Sequence, residues 1–500
     1  MAQDIFVPYR VLEMTWIIPI TNPPRPVSAG GGYIWRYSGR YRTNRLSQCT
    51  TLRLLIEHSY YSNRLKYPIP IMQSTLSIQD LNTNPSSKRI LIVGGGIVGA
   101  ALTFYLSKAN SNRHIVLLDR SLKKSLGSTG HAPGFVGQLN ESAVLTRLAR
   151  DTVAEYLTVP GGFNTVGGLE LASTPAGVQT LQSRCEKARA AGLSAEMISA
   201  EDAAALAPDF IDHESVRTGL YFSSDGTANA QVITSYFTQE ARDRGVDFLE
   251  VDVVGFARKD GEIEAIRTAD GDINLTGSTV ILATGIWTSS LTGDKEVSIT
   301  KFPVPIIPVA HPYTFTPPRP VRPGKPYPFV RWPEHHVYAR DHGDHDGLGS
   351  YDHAPLELKP DQSAIGTWPS SFEEVLTEAT SHLKNGGNFL VQGRQDDSEP
   401  FEEKKPFNGI FSVTPDNLPL AGRMSDVDNL WLCAAIWVTT AAGTAKLIAR
   451  EVLRGSQDGI SDSDVEVLKA LDPARFQGVE DEVLTAQALE RYNNIYNKEQ

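Results

Sequence analysis

Residues 88–99 read Lys-Arg-Ile-Leu-Ile-Val-Gly-Gly-Gly-Ile-Val-Gly, and this stretch decides the fold. A short apolar run of β character is followed by glycines at 94, 96 and 99. The first permits a tight turn, the second lets a pyrophosphate approach the backbone, and the third lets a helix pack on its strand. The spacing predicts a helix over 100–107, whose N-terminal N–H groups and positive dipole end would face the phosphates. A second strand, 114–119, follows at βαβ distance, and Asp119 lies 25 residues after Gly94, where a ribose-binding acid belongs. Asp119 would otherwise cap the turn at Arg120-Ser121. Strand, glycines, helix and acid together predict a bound dinucleotide.

Around this unit the composition is that of a globular chain: 500 residues, 41% hydrophobic and 21% charged. Length allows two to four domains. A net charge of −11 argues against nucleic-acid binding. No apolar run reaches the 18 or so residues of a membrane span. Cys49, Cys185 and Cys433 are scattered and match no metal spacing, which points to a reducing, intracellular setting, cytoplasmic or mitochondrial. Residues 1–87 carry nine Arg/Lys against four Asp/Glu and show no sustained period, so they form a poorly ordered N-terminal extension. A mitochondrial transit peptide and a wrongly joined upstream exon account for it equally well.

From residue 88 the pattern is α/β. Helices are expected over 141–157, 175–192, 231–244 and from Thr439 to Arg454. Strands are expected over 166–172, 246–253, 263–268, 279–285 and 429–435. Residues 317–328, rich in proline, form an extended loop.

Several further stretches fall in a familiar order: GSTGHAPG (127–134), VGGLE (166–170), ILATGIW (281–287), PVAHPY (308–313), GIFSVTPDNLPLAG (409–422) and WVTTAAGTAK (437–446). With the glycine fingerprint they make the chain resemble the FAD-dependent glycine oxidase/D-amino-acid oxidase superfamily. Within it the likeness is to dimethylglycine oxidases and to dimethylglycine and sarcosine dehydrogenases. The resemblance covers 88–497, matches poorly over 365–405, and stops where larger members begin a folate-binding region. It implies an α/β, mixed α+β fold, in which a Rossmann-like FAD-binding domain is interleaved with a sheet-based substrate domain. Residues 88–136, 218–292 and 407–460 would bind FAD, 137–217 and 293–406 would bind substrate, and 461–500 would be a C-terminal tail.

The resemblance also implies the chemistry. A small N-methylated amino acid would lose hydride to FAD and hydrolyse to formaldehyde and the demethylated amine. Without the folate region the formaldehyde would leave free. Oxygen or an electron-transfer protein would be the acceptor. His131 would carry a covalent bond to the flavin; read without the resemblance, it is a loop histidine bonded to backbone. Other cofactor contacts fall on Gly94, Gly96, Gly99, Asp119, Arg120, Ser128, Thr129, Val254, Gly285, Asp416, Trp437, Thr439 and Gly443. Thr439 would cap the last helix. His311 and Tyr313, two apart on a strand, face one side, and either suits a proton acceptor for the amine. Arg340 or Arg331 would anchor a carboxylate. The histidines at 335, 336, 342, 345 and 353 lack a closed metal spacing, so no metal site is expected. Two other readings remain: oxidation of a different amine on the same fold, and a non-catalytic FAD-binding protein.

Overall fold

The computed structural model describes residues 73–84, 89–109, 112–275, 277–293, 298–359, 368–392, 405–454, 461–493 and 495, together with two short strands near the N-terminus. The chain divides into two compact units, 1–68 and 69–500. In the first, strands Val27–Ala29 and Gly32–Ile34 pair antiparallel; the rest of 1–72, and hence most of the expected extension, lies outside the described residues.

In the second unit the fingerprint strand Arg89–Val93 sits inside a six-stranded sheet. The order is 247–250, 114–119, 89–93, 279–282, 430–434, 420–423, all parallel except the last. Both faces are covered, which is why the four central strands are largely apolar runs. Helices Ile97–Lys108, Ala230–Asp243 and Ala441–Leu453 pack on one face, and the antiparallel meander 253–274 belongs to the core on the other. Helix Ile97–Lys108 is apolar almost all round because it is enclosed by the sheet and the two other helices. It starts at Ile97, three residues earlier than the spacing predicted.

A second, eight-stranded sheet runs 407–413, 307–315, 346–350, 337–341, 329–332, 168–172, 218–222, 195–199. All its pairs are antiparallel except 168–172 with 329–332. Its strands alternate in sequence with pieces of the first sheet, so the mixed, interleaved architecture expected from the sequence is the one observed.

Within 73–84, Ser77 caps helix Ile78–Thr83 in a reciprocal bond with Asp80, and Thr75 joins the edge strand at Phe248. The segment 461–493 holds helices Asp462–Leu471 and Asp481–Asn493, and the second buries Leu484, Ala488 and Tyr492. The strand expected over 246–253 breaks after Glu250, and a new strand, Val253–Lys259, turns into the meander.

Candidate active site

Cross-strand register builds one wall of the site. Glu170, Arg331, Tyr338, Gly349, Tyr313 and Phe407 are successive Cα partners across the larger sheet. Such partners share a face. All but Gly349 line a single cavity of about 890 Å³. A Cβ on Gly349 would stand 2.4 Å from the Tyr338 ring, so glycine is what lets that ring lie across the sheet. Ile97, Thr129 and His131, with Ala435, Trp437 and Thr439, line the same cavity. The start of the glycine-fingerprint helix and the sheet row therefore border one space.

At the fingerprint end, Gly94 has φ +105°, and a Cβ there would lie 2.4 Å from the Ala283 carbonyl oxygen. A Cβ on Gly99 would lie 1.8 Å from the Gly94 oxygen. Both positions exclude any side chain. Asp119 accepts from the N–H of Gly95 at 2.5 Å and from that of Ser121 at 2.8 Å. Burial still holds its carboxyl above the ordinary value. Thr129 Oγ1 accepts from the Ile97 N–H at 3.0 Å, tying the 127–134 loop to the helix start.

In that loop His131 is buried, and its Nδ1 donates to the Gly127 carbonyl at 2.8 Å. Burial pushes its pKa down to about 4, so it is neutral at pH 7. With the proton on Nδ1, Nε2 carries the lone pair. Ser128 donates to the Ile410 carbonyl at 2.9 Å, and Trp437 Nε1 to that of Ser412 at 3.0 Å.

At the sheet end, His311 is buried and bonded on both ring nitrogens, Nε2 to Tyr338 at 2.6 Å and Nδ1 to Tyr492 at 2.7 Å. Burial, then His353, lowers its pKa well below the ordinary value. Tyr313 bonds His342 at 2.8 Å, and burial raises its phenol. Beside Tyr338, Arg331 faces Glu170 at 3.5 Å, while Arg184 grips the same carboxylate at 2.7 and 2.8 Å. Burial alone would raise Glu170; the two guanidiniums outweigh it and hold the carboxyl below its usual value.

The other expected site residues have the following surroundings. Arg340 does not line the cavity; its guanidinium donates to the carbonyls of Pro133 and Ala228. Gly443 is where two helices touch: a Cβ would lie 2.5 Å from the Leu148 oxygen. Thr439 lines the cavity but donates to the Phe135 carbonyl instead of capping the last helix, which starts after a 3-10 turn at 438–440. Asp416, also on the lining, is gripped by Arg475 at 2.8 and 3.0 Å. Arg120 is exposed and stacks over Trp287 at 3.9 Å. Gly285 (φ +55°) turns the chain at the end of strand 279–282, and Val254 is exposed. The sequence reading missed Tyr338, Tyr492 and the Glu170–Arg184 pair. Tyr338 stands two residues before Arg340 on one strand face, so the alternation in Val337–Asp341 pointed equally to both.

The family description "FAD dependent oxidoreductase" (DAO) matches residues 89–451. The chain belongs to this family. It is 26% identical over 432 residues to the mitochondrial dimethylglycine dehydrogenase of Rattus norvegicus, covering 82% of this chain and 48% of that protein. To the mitochondrial sarcosine dehydrogenase of Mus musculus it is 26% identical over 363 residues, covering 70% of this chain and 37% of that one. The chain thus spans half or less of the length of these relatives. Among solved structures, L-proline dehydrogenase from P. horikoshii superposes with a TM-score of 0.65 at 22% identity, covering 79% of this chain and 99% of that one.

The residues present fit FAD. The glycine turn at 94–99 packs so tightly against backbone that a Cβ at 94 or 99 would strike a carbonyl oxygen, and it brings bare backbone to the start of helix Ile97–Lys108. Asp119 closes on the Gly95 and Ser121 N–H groups beside that turn, and Ile97, His131 and Trp437 line one cavity. Among the described residues no helix is long and apolar enough to cross a membrane.

Proposed function

We propose that this chain oxidises a small N-methylated amino acid of the dimethylglycine or sarcosine kind, giving formaldehyde and the demethylated amine. The observation that carries this reading is the row Glu170–Arg331–Tyr338–Tyr313 lining one cavity with Ile97, at the start of the glycine-fingerprint helix, and His131. Bound FAD supplies the hydride acceptor. The amine must be neutral for its lone pair to assist departure of the hydride. The Tyr338 hydroxyl, bonded to neutral His311, takes the ammonium proton at its oxygen as its own proton moves toward His311 Nε2. Arg331, the cross-strand partner of Tyr338, holds the substrate carboxylate. Phe411, Tyr351 and Trp437 line the same space and limit water around the carbon that is oxidised. The mitochondrial dehydrogenases of dimethylglycine and sarcosine to which the chain is similar support this substrate class.

His131 is the proposed tether for the flavin: a neutral imidazole with its proton fixed on Nδ1 offers Nε2 as nucleophile. Yellow colour surviving in acid-precipitated protein, and lost from a His131→Ala variant, checks the tether. The activity itself is tested by formaldehyde assay: one formaldehyde per amine consumed is expected. Substrate turnover without formaldehyde would place the oxidised bond elsewhere and overturn the N-methyl reading.

A further inference from the structure

The helix Asp481–Asn493 places a tyrosine against His311, the histidine that partners the proposed proton acceptor Tyr338. Tyr492 lies beyond the family match at 89–451, on helix Asp481–Asn493, and is fully buried. Its hydroxyl stands 2.7 Å from His311 Nδ1 and 2.8 Å from His353 Nε2. His353 is half-buried, and its Nδ1 lies 2.9 Å from the Ala354 carbonyl oxygen.

We propose that Tyr492 and His353 extend the Tyr338–His311 pair into a proton relay leading from the cavity to the protein surface. The proposal rests on the amine-oxidising reading above. The direction follows from which atoms can only accept. A carbonyl accepts, so His353 holds its proton on Nδ1 and presents a lone pair at Nε2. Tyr492 therefore donates to His353 Nε2, a shorter contact than its 3.2 Å alternative at the Ala310 carbonyl. The Tyr492 oxygen then accepts from His311 Nδ1–H, which leaves His311 Nε2 to accept from the Tyr338 hydroxyl. Every bond points the same way, outward from the cavity.

One proton enters at the Tyr338 oxygen. The Tyr338 proton passes to His311 Nε2, the Nδ1 proton of His311 to the Tyr492 oxygen, and the Tyr492 proton to His353 Nε2. One proton leaves His353 to water, and no electron moves through the chain. Burial keeps both imidazoles neutral at rest, as a relay needs. Around His353 stand Phe372, Tyr492 and the adjacent exposed Asp352, whose charge favours the transient imidazolium. A purely structural role would anchor the helix and leave proton movement untouched.

Tyr492→Phe keeps the ring and removes one hydroxyl, so it separates the two roles. In the parent holoenzyme, anaerobic stopped-flow reduction by dimethylglycine or sarcosine is expected to show a solvent isotope effect with a curved proton inventory. In Y492F the reduction rate should fall about tenfold with KM changed less than about twofold, and the inventory should become linear. Adding imidazole to His353→Ala should recover part of the lost rate. A readout independent of turnover is the nitrogen-15 spectrum of histidine-labelled protein. The parent should show His353 protonated on Nδ1, with an Nε2 signal shifted by an accepted hydrogen bond that disappears in Y492F. If Y492F reduces its flavin at the parent rate with the parent inventory, or if His353 carries its proton on Nε2, the relay is wrong while the function stands. A parent that no amine reduces overturns the function and the relay with it.

Discussion

Glu170 gives the sharpest test of how the site is held. Its side chain is 3% exposed and accepts two bonds from Arg184, at 2.7 and 2.8 Å, with Arg331 at 3.5 Å on the other side. Glu170→Gln keeps the shape but leaves two half-buried guanidiniums sharing a neutral amide, whose NH₂ group repels one of them. Breaking a buried ion pair on one side costs about 3–5 kcal/mol. For the unit 69–500 the unfolding entropy is of order 0.9 kcal/mol/K, so the melting temperature should fall by about 3–6 °C. The pH dependence has a sign. The carboxyl is held below its ordinary value in the folded state, so its stabilisation is complete above the unfolded pKa of 4.5 and is lost as pH falls through the lower folded value. The parent–variant gap should therefore narrow below pH 4.5. Adding Arg184→Met to the variant should return part of the loss, because it removes one unpaired charge. Differential scanning fluorimetry of the four proteins of this cycle, between pH 4 and 8, reads all of this. A variant melting within 1 °C of the parent at pH 7 would refute the reasoning.

Three further outcomes follow from the same structure. Gly99→Ala puts a Cβ 1.8 Å from the Gly94 oxygen, so it should fold with a shifted turn and purify with little flavin, read as the absorbance ratio at 450 and 280 nm. Burial raises the carboxyl of Asp225 to about 7, so its folded-state penalty grows as pH rises from about 4 to 7. Asp225→Asn keeps an acceptor for the Gln138 N–H, now 3.0 Å away, and should melt above the parent at pH 8 but not at pH 4. Arg331→Gln removes a charged donor worth about 1.5–3 kcal/mol to a carboxylate, so kcat/KM for an amino-acid substrate should fall about 10- to 150-fold, while an N-methyl amine lacking the carboxylate should lose far less.

Much of the fold was legible because its signals are local. The strand–glycine–helix unit at 89–108 and the buried parallel strands follow from runs and spacing alone. Gly94 and Gly99 stand in the tight turn that their spacing pointed to, where no side chain fits. The site was legible only in part. His311 and Tyr313 were recognised on their strand, but Tyr338 reaches the cavity through a cross-strand register that no local pattern encodes. Tyr492 joins His311 across 181 residues of sequence. The surroundings of Arg340 and Gly443 were hidden for the same reason: the Pro133 and Ala228 carbonyls and the helix at 143–156 are distant in the chain. The helix at 78–83 was not legible because its turn and a half depends on a capping box, and it carries no amphipathic period of its own.

The most direct measurement is an anaerobic absorbance titration of the purified protein with dimethylglycine and with sarcosine. The account predicts a bound flavin spectrum that bleaches near 450 nm as either amine is added. A protein without flavin, or a flavin that stays oxidised with both, would contradict it.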